Sequence, residues 1–256
     1  MGNLLQNAPR WPRAAISSFQ TNLIHFRNPL VTALWSVALP GFGHIFVGSY
    51  IKGYLLIIWE IVVNTQSHLN LVILYSFTGR FPEAMEAINP RWLLLYVPFY
   101  LFAVWDSYRL AIQLNKLALL AERTEQQLPP VVISAFEINF LDKRSPWGAM
   151  LWSLLIPGAG NLYNHRLPTG FILLTVWVCI AYQSHLLEAF TCSLLGDFVQ
   201  ATAVTDPAWL LFLPSIHYFG MYSAYTYTVE YNKLFDYEQA RHLRQEYPNR
   251  PNKMPF

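Results

Sequence analysis

Charge is what this chain has least of. Asp, Glu, Lys and Arg make up 12% of its 256 residues, about half the ~25% of ordinary soluble domains. A chain so poor in charge and 54% apolar points to a bilayer as its solvent. Cysteine is nearly absent as well. Cys179 and Cys192 fall on one predicted membrane helix, out of reach of each other, which excludes a disulfide framework and a cysteine-based zinc site. The motifs of common chemistry are missing: there is no G-x-S-x-G elbow, H-E-x-x-H pair, Walker-type phosphate loop or C-x-x-C, so no catalytic set, metal site or cofactor is expected. A net charge of +2 without basic runs interleaved with aromatics excludes a nucleic-acid partner. The first 29 residues hold no apolar core before a cleavage site, so no cleavable signal is expected. Gln6 stands where myristoylation needs Ser or Thr.

What is present is apolar and long. Six runs approach membrane length: Leu30 to Val47, Gly53 to Phe77, Trp92 to Leu110, Trp147 to Tyr163, Gly170 to Leu195 and Ala208 to Val229. Shifting the sequence against itself by 117 residues aligns them in two sets of three without a gap, with 32 of 106 positions identical from Pro12 to Leu117. Leu34-Trp35-Ser36 returns as Leu151-Trp152-Ser153, Gln66-Ser67-His68-Leu69 as Gln183-Ser184-His185-Leu186, and Asn115-Lys116-Leu117 as Asn232-Lys233-Leu234. Shared apolar composition does not reproduce such strings, so the halves descend from one unit. The organisation expected is an N-terminal tail over 1–11, repeat A over 12–123, a linker over 124–128, repeat B over 129–240 and a C-terminal tail over 241–256.

Charge placement sets the topology. Three Lys or Arg residues precede the first apolar run, five lie between the repeats and five follow the last run, so all three regions belong in the cytoplasm. That requires an even number of crossings per repeat. The solution is a first segment that enters and returns, followed by a spanning hairpin. The fold expected is all-α and integral to the membrane, with two parallel tandem repeats and both termini cytoplasmic. The loops near 78–91 and 196–207 would be external.

The turning point is marked by Pro40, Gly41, Gly43 and Gly53 and, in the second copy, Pro157, Gly158, Gly160 and Gly170. Proline removes a helical donor and glycine allows the positive φ of a tight reversal. The pattern Pro40-Gly41-x-Gly43-His44-x-Phe46-x-Gly48-x-x-x-x-Gly53, with Asp106-Ser107-Tyr108-Arg109-Leu110-Ala111 and Asn115 further on, resembles the two-transmembrane domain family and its bacterial relatives of unknown function. The second copy departs from that pattern at His165 and Ser223. The resemblance implies a bacterial cytoplasmic-membrane protein without assigned activity and argues against a conventional enzyme.

Ionisable residues inside apolar segments are functional candidates by default. Glu60, Asn64 and His68 share a helix face at i, i+4 and i+8. Glu60 lies about 10 Å along its segment at helical rise, within reach of Lys52, and position 177 of the other repeat holds Trp. His68 and His185, with Glu188 one turn beyond the latter, form a symmetric pair suited to a metal, a proton relay or an interfacial cap on Gln66 and Gln183. Asp106 and Arg109 sit at i, i+3, spaced for an ion pair at the headgroups. The alternating stretch Val131 to Leu141 fits a strand or an amphipathic anchor equally. The function expected first is a non-enzymatic scaffold or component of a membrane assembly, with the lipid bilayer and a membrane protein or second copy as partners. The alternative is a carrier or channel for a small solute or ion, with its site between the repeats near Glu60.

Overall fold

A computed structural model describes residues 11–123 and 128–247. The tail up to residue 10, linker residues 124–127 and the tail beyond 247 lie outside the described residues. Repeat A opens with an antiparallel hairpin of β1 (Ala14–Ile16) and β2 (Thr21–Leu23), in which Ala15 faces Asn22. It continues through α1 (Pro29–Ala38), α2 (Phe42–Phe46), α3 (Tyr50–Ser67), α4 (Leu69–Phe77), α5 (Phe81–Ala87) and α6 (Pro90–Ala121). Repeat B runs through β3 (Val131–Ile133), β4 (Ile138–Phe140), α7 (Pro146–Leu155), α8 (Ala159–Tyr163), α9 (Leu167–Gln183), α10 (Leu186–Leu194), α11 (Phe198–Val204), α12 (Pro207–Leu210) and α13 (Leu213–Glu246). Each element from β1 to α6 begins 117 residues before its counterpart, as Ala14 does before Val131 and Pro90 before Pro207. The chain is mostly helical, and Val131 to Leu141 resolves as a hairpin.

Local chemistry explains the first reversal. Asn28 and Ser145 cap α1 and α7 by accepting from the amides of Leu30 and Gly148, with Pro29 and Pro146 at the first helical position. After ten residues, about 15 Å of helix, each helix stops before Pro40 or Pro157. Gly41 and Gly158 then adopt φ of 105° and 97°. A Cβ on either would lie 2.4 Å from the carbonyl oxygen of Gly53 or Gly170, so no other residue fits. The chain turns back on itself there: the Arg27 guanidinium, before α1, sits 4.8 Å from the Phe46 ring that ends α2. Arg144 repeats this, donating to the Tyr163 carbonyl. The terminal helix of each repeat fastens the result. Asn115 accepts from the Arg27 amide at 2.9 Å and donates to its carbonyl at 2.8 Å, and Asn232 does the same for Arg144.

The later apolar runs are less regular than the sequence suggests. His68 and His185 take φ of 57° and 55°, and the helices on either side of them bend by 62° and 64°. The third run of repeat B is also interrupted, between α12 and α13. Among the described residues no single helix is long and apolar enough to cross a membrane, but three bent pairs are, by length and composition: α3 with α4, α5 with α6, and α9 with α10. Cys179 and Cys192 accordingly lie on α9 and α10 rather than on one helix, and both are free thiols. The segments near 78–91 and 196–207 contain the short helices α5 and α11.

The repeats meet along an aromatic seam. Phe42 stacks on Phe219 at 4.2 Å, and Trp35 meets the same ring edge-on at 5.4 Å. At one end the two hairpins touch, Asn139 donating to the Ser17 carbonyl at 2.7 Å, and the Leu167 amide reaches the Phe19 carbonyl at 3.1 Å. At the other, Asn70 of α4 donates to the Ala208 carbonyl of α12 at 2.7 Å.

Candidate functional site

The polar centre of the molecule is built on α3. Glu60 and Asn64, four residues apart, share a face, and Asn64 Nδ2 donates to Glu60 Oε1 at 3.0 Å. The row does not continue to His68. The left-handed break at that residue carries the chain round so that Asn70 takes its place: Asn64 Nδ2 donates to Asn70 Oδ1 and Asn64 Oδ1 accepts from the Asn70 amide, both at 3.1 Å. Tyr96 of α6 adds its hydroxyl to Glu60 Oε1 at 3.3 Å. Glu60 is 3% exposed, and its Oε2 has no hydrogen-bond partner among the described residues. A cavity of about 270 Å³ adjoins it, lined from repeat A by Pro40, Glu60, Asn70 and Tyr96 and from repeat B by Phe212 and Ser215. A carboxyl group flanked by two amides and a phenol can receive a cation or the N–H and O–H donors of a polar solute.

A second cluster holds the repeat A turn. Asp106 of α6 is fully buried and accepts from Lys52 Nζ at 2.9 Å, His44 Nε2 at 3.2 Å and Arg109 Nη2 at 2.6 Å. The pairing of Asp106 with Arg109 is present, but Asp106 also clamps α2 and α3 onto α6, which a headgroup anchor does not require. Lys52 goes to this cluster and not to Glu60. Repeat B has uncharged residues at the four matching positions: Asn161 Nδ2 donates to Ser223 Oγ at 3.1 Å, and Thr169 and Thr226 stand where Lys52 and Arg109 do, while the charge that reaches Asn161 is that of Arg166, which matches Ser49.

Among the described residues the two histidines make no hydrogen bond to each other. His68 and His185 are exposed, and among the described residues no group of three or more His, Cys, Asp or Glu side chains is placed to hold a metal. His185 Nδ1 contacts Glu188 on the surface of α10 instead of Gln183. What the two copies share at this position is a backbone conformation that His tolerates better than most residues. Sequence reasoning missed His44, Lys52, Asn70 and Tyr96 as partners. One signal was available, because His44, Lys52, Asp106 and Arg109 are all neutral in the second copy, as expected of four residues that depend on one another. Comparison with family models, curated proteins and solved structures finds no match for this chain.

Proposed function

We propose that this chain is a polytopic integral protein of a bacterial cytoplasmic membrane, with two parallel repeats and cytoplasmic termini. In this reading it binds and passes a cation or small polar solute at Glu60. The membrane assignment is supported by the scarcity of charge, by the three bent apolar helix pairs, and by the likeness of the turn motif to the two-transmembrane domain family. The parallel arrangement is supported by the two hairpins meeting at one end. The observation that carries the functional reading is the buried Glu60 carboxyl beside a cavity bounded by both repeats.

Glu60 Oε1 ties α3 to α6 through Tyr96, but a buried carboxyl is costly and its unused Oε2 adds nothing to that structural contact. This ranks solute or ion binding above a scaffold. The test is flux of protons, sodium and potassium into liposomes containing the full chain under an imposed gradient. Flux through the wild type that is lost in Glu60→Gln is the expected result. Absence of flux in the wild type, with a stoichiometric membrane partner captured from native membranes, would establish the scaffold instead.

A further inference from the structure

A separate group of buried charges lies where the hairpins meet. Arg27, just before α1, and Arg166, just before α9, converge on Tyr227 of α13, and they are 7% and 1% exposed. The Arg166 guanidinium lies 3.3 Å from the Tyr227 ring centroid and donates to Asn161 Oδ1 at 3.0 Å and the Tyr50 hydroxyl at 3.1 Å. Arg27 stacks on the same ring at 5.0 Å, and its Nη2 donates to the Tyr227 hydroxyl at 2.7 Å. That hydroxyl also lies 2.8 Å from the Phe46 carbonyl, to which it donates. No carboxylate is among the acceptors. Among the described residues neither arginine has an ion-pair partner, and Arg27 Nη1 is buried without a hydrogen-bond partner.

Two guanidinium groups removed from water without a carboxylate partner are strongly unfavourable. The arrangement is explained if the counter-charge is a ligand. A cavity of about 260 Å³ opens at this place, lined by His25, Arg27, Tyr50 and Tyr227 and by no acidic residue. It is smaller than the ~300–1,000 Å³ pockets of drug-sized ligands, which suits a compact anion. His25 adds no negative charge to this place: burial first, and then Arg27, lower its pKa from 6.5 to about 3, with Lys233 and Arg166 acting in the same direction. The cluster, which draws on both repeats, has no second copy, since Asp142 of repeat B and Ser49 and Leu110 of repeat A occupy the positions that match His25, Arg166 and Tyr227.

We propose that this cavity binds a phosphate-type anion, free or as a phospholipid headgroup, with Arg27 as its direct contact and Arg166 behind Tyr227 supplying the second charge. Arginine matches phosphate through paired donors. The site is independent of the solute reading at Glu60, and only the lipid source depends on the membrane reading.

The test is thermal unfolding of the full chain in two settings: neutral detergent with increasing inorganic phosphate, and phosphatidylcholine nanodiscs with or without phosphatidylglycerol. Saturable stabilisation is expected, with binding weakened about tenfold or more in Arg27→Gln. A response to phosphate in detergent identifies the free anion as sufficient, whereas a response to phosphatidylglycerol alone identifies the headgroup. A second variant guards against an Arg27 change that simply misfolds. His25→Asp imports the residue of repeat B and supplies an internal counter-charge, so it should unfold at higher temperature than wild type without ligand and lose the ligand response. No stabilisation by either ligand, or stabilisation equal in wild type and both variants, overturns the proposal.

Discussion

Replacing Asp106 by Ser, the residue at matching position 223, removes the one acceptor that serves Lys52, His44 and Arg109. Hydrogen bonds to charged groups are worth about 1.5–3 kcal/mol each, so losing three sets a ceiling of about 4.5–9 kcal/mol. The side chains of Lys52 and Arg109 are 50% and 45% exposed and rehydrate when released, which returns most of their share. His44 is fully buried and has no such escape. The net loss expected is about 2–4 kcal/mol. For a chain of this size that lowers Tm by about 5–15 °C. The informative comparison is the fourfold change His44→Asn, Lys52→Thr, Asp106→Ser and Arg109→Thr, which installs the four residues found at the matching positions of repeat B. It should recover more than half of the loss, leaving a coupling of about 2 kcal/mol relative to the summed single changes. Thermal unfolding in one detergent, followed by tryptophan fluorescence, measures all five variants. Strict additivity would refute the claim that the four residues act as one unit and that the neutral set is its equivalent.

Three further outcomes follow from the geometry. Gly41→Ala and Gly158→Ala should each destabilise by more than about 2 kcal/mol, since a left-handed φ and a backbone clash combine, while Gly79→Ala, at φ 76° in open space, should cost only about 1 kcal/mol; equal losses at all three positions in thermal unfolding would contradict this. The part-buried His25, facing Arg27, Lys233 and Arg166, should make stability depend on pH. Between about 6.5 and 3 the unfolded chain takes up a proton that the folded chain refuses, so stability falls by about 1.4 kcal/mol per unit as pH drops. His25→Gln should flatten that slope, and an NMR titration of His25 near 6.5 in the folded protein would disprove the cause. Reporter fusions at Gly79 and Gly196 should report the same side of the membrane, because parallel repeats place equivalent loops together; opposite sides would exclude that arrangement.

The amino-acid sequence by itself determined the duplication, the place of the first reversal and the predominance of helix. These are local or self-referential properties. Proline and glycine act on the backbone at their own positions, and a shift by 117 residues compares the chain only with itself. The breaks at His68 and His185 were present as the repeated QSHL string, but an imidazole is first read as chemistry, and only the backbone shows that these residues serve through their positive φ. That single conformational choice rotates α4 away from the row on α3, removes His68 from the face of Glu60 and brings Asn70 there instead. The tertiary structure alone decided the rest. The cavity beside Glu60 needs walls from residues 60 and 212, and the arginine cluster joins Arg27 to Tyr227 across 200 residues of chain. Such contacts depend on how two packed repeats meet, and because the repeats have diverged at those positions, neither copy of the sequence carries the pattern of the other.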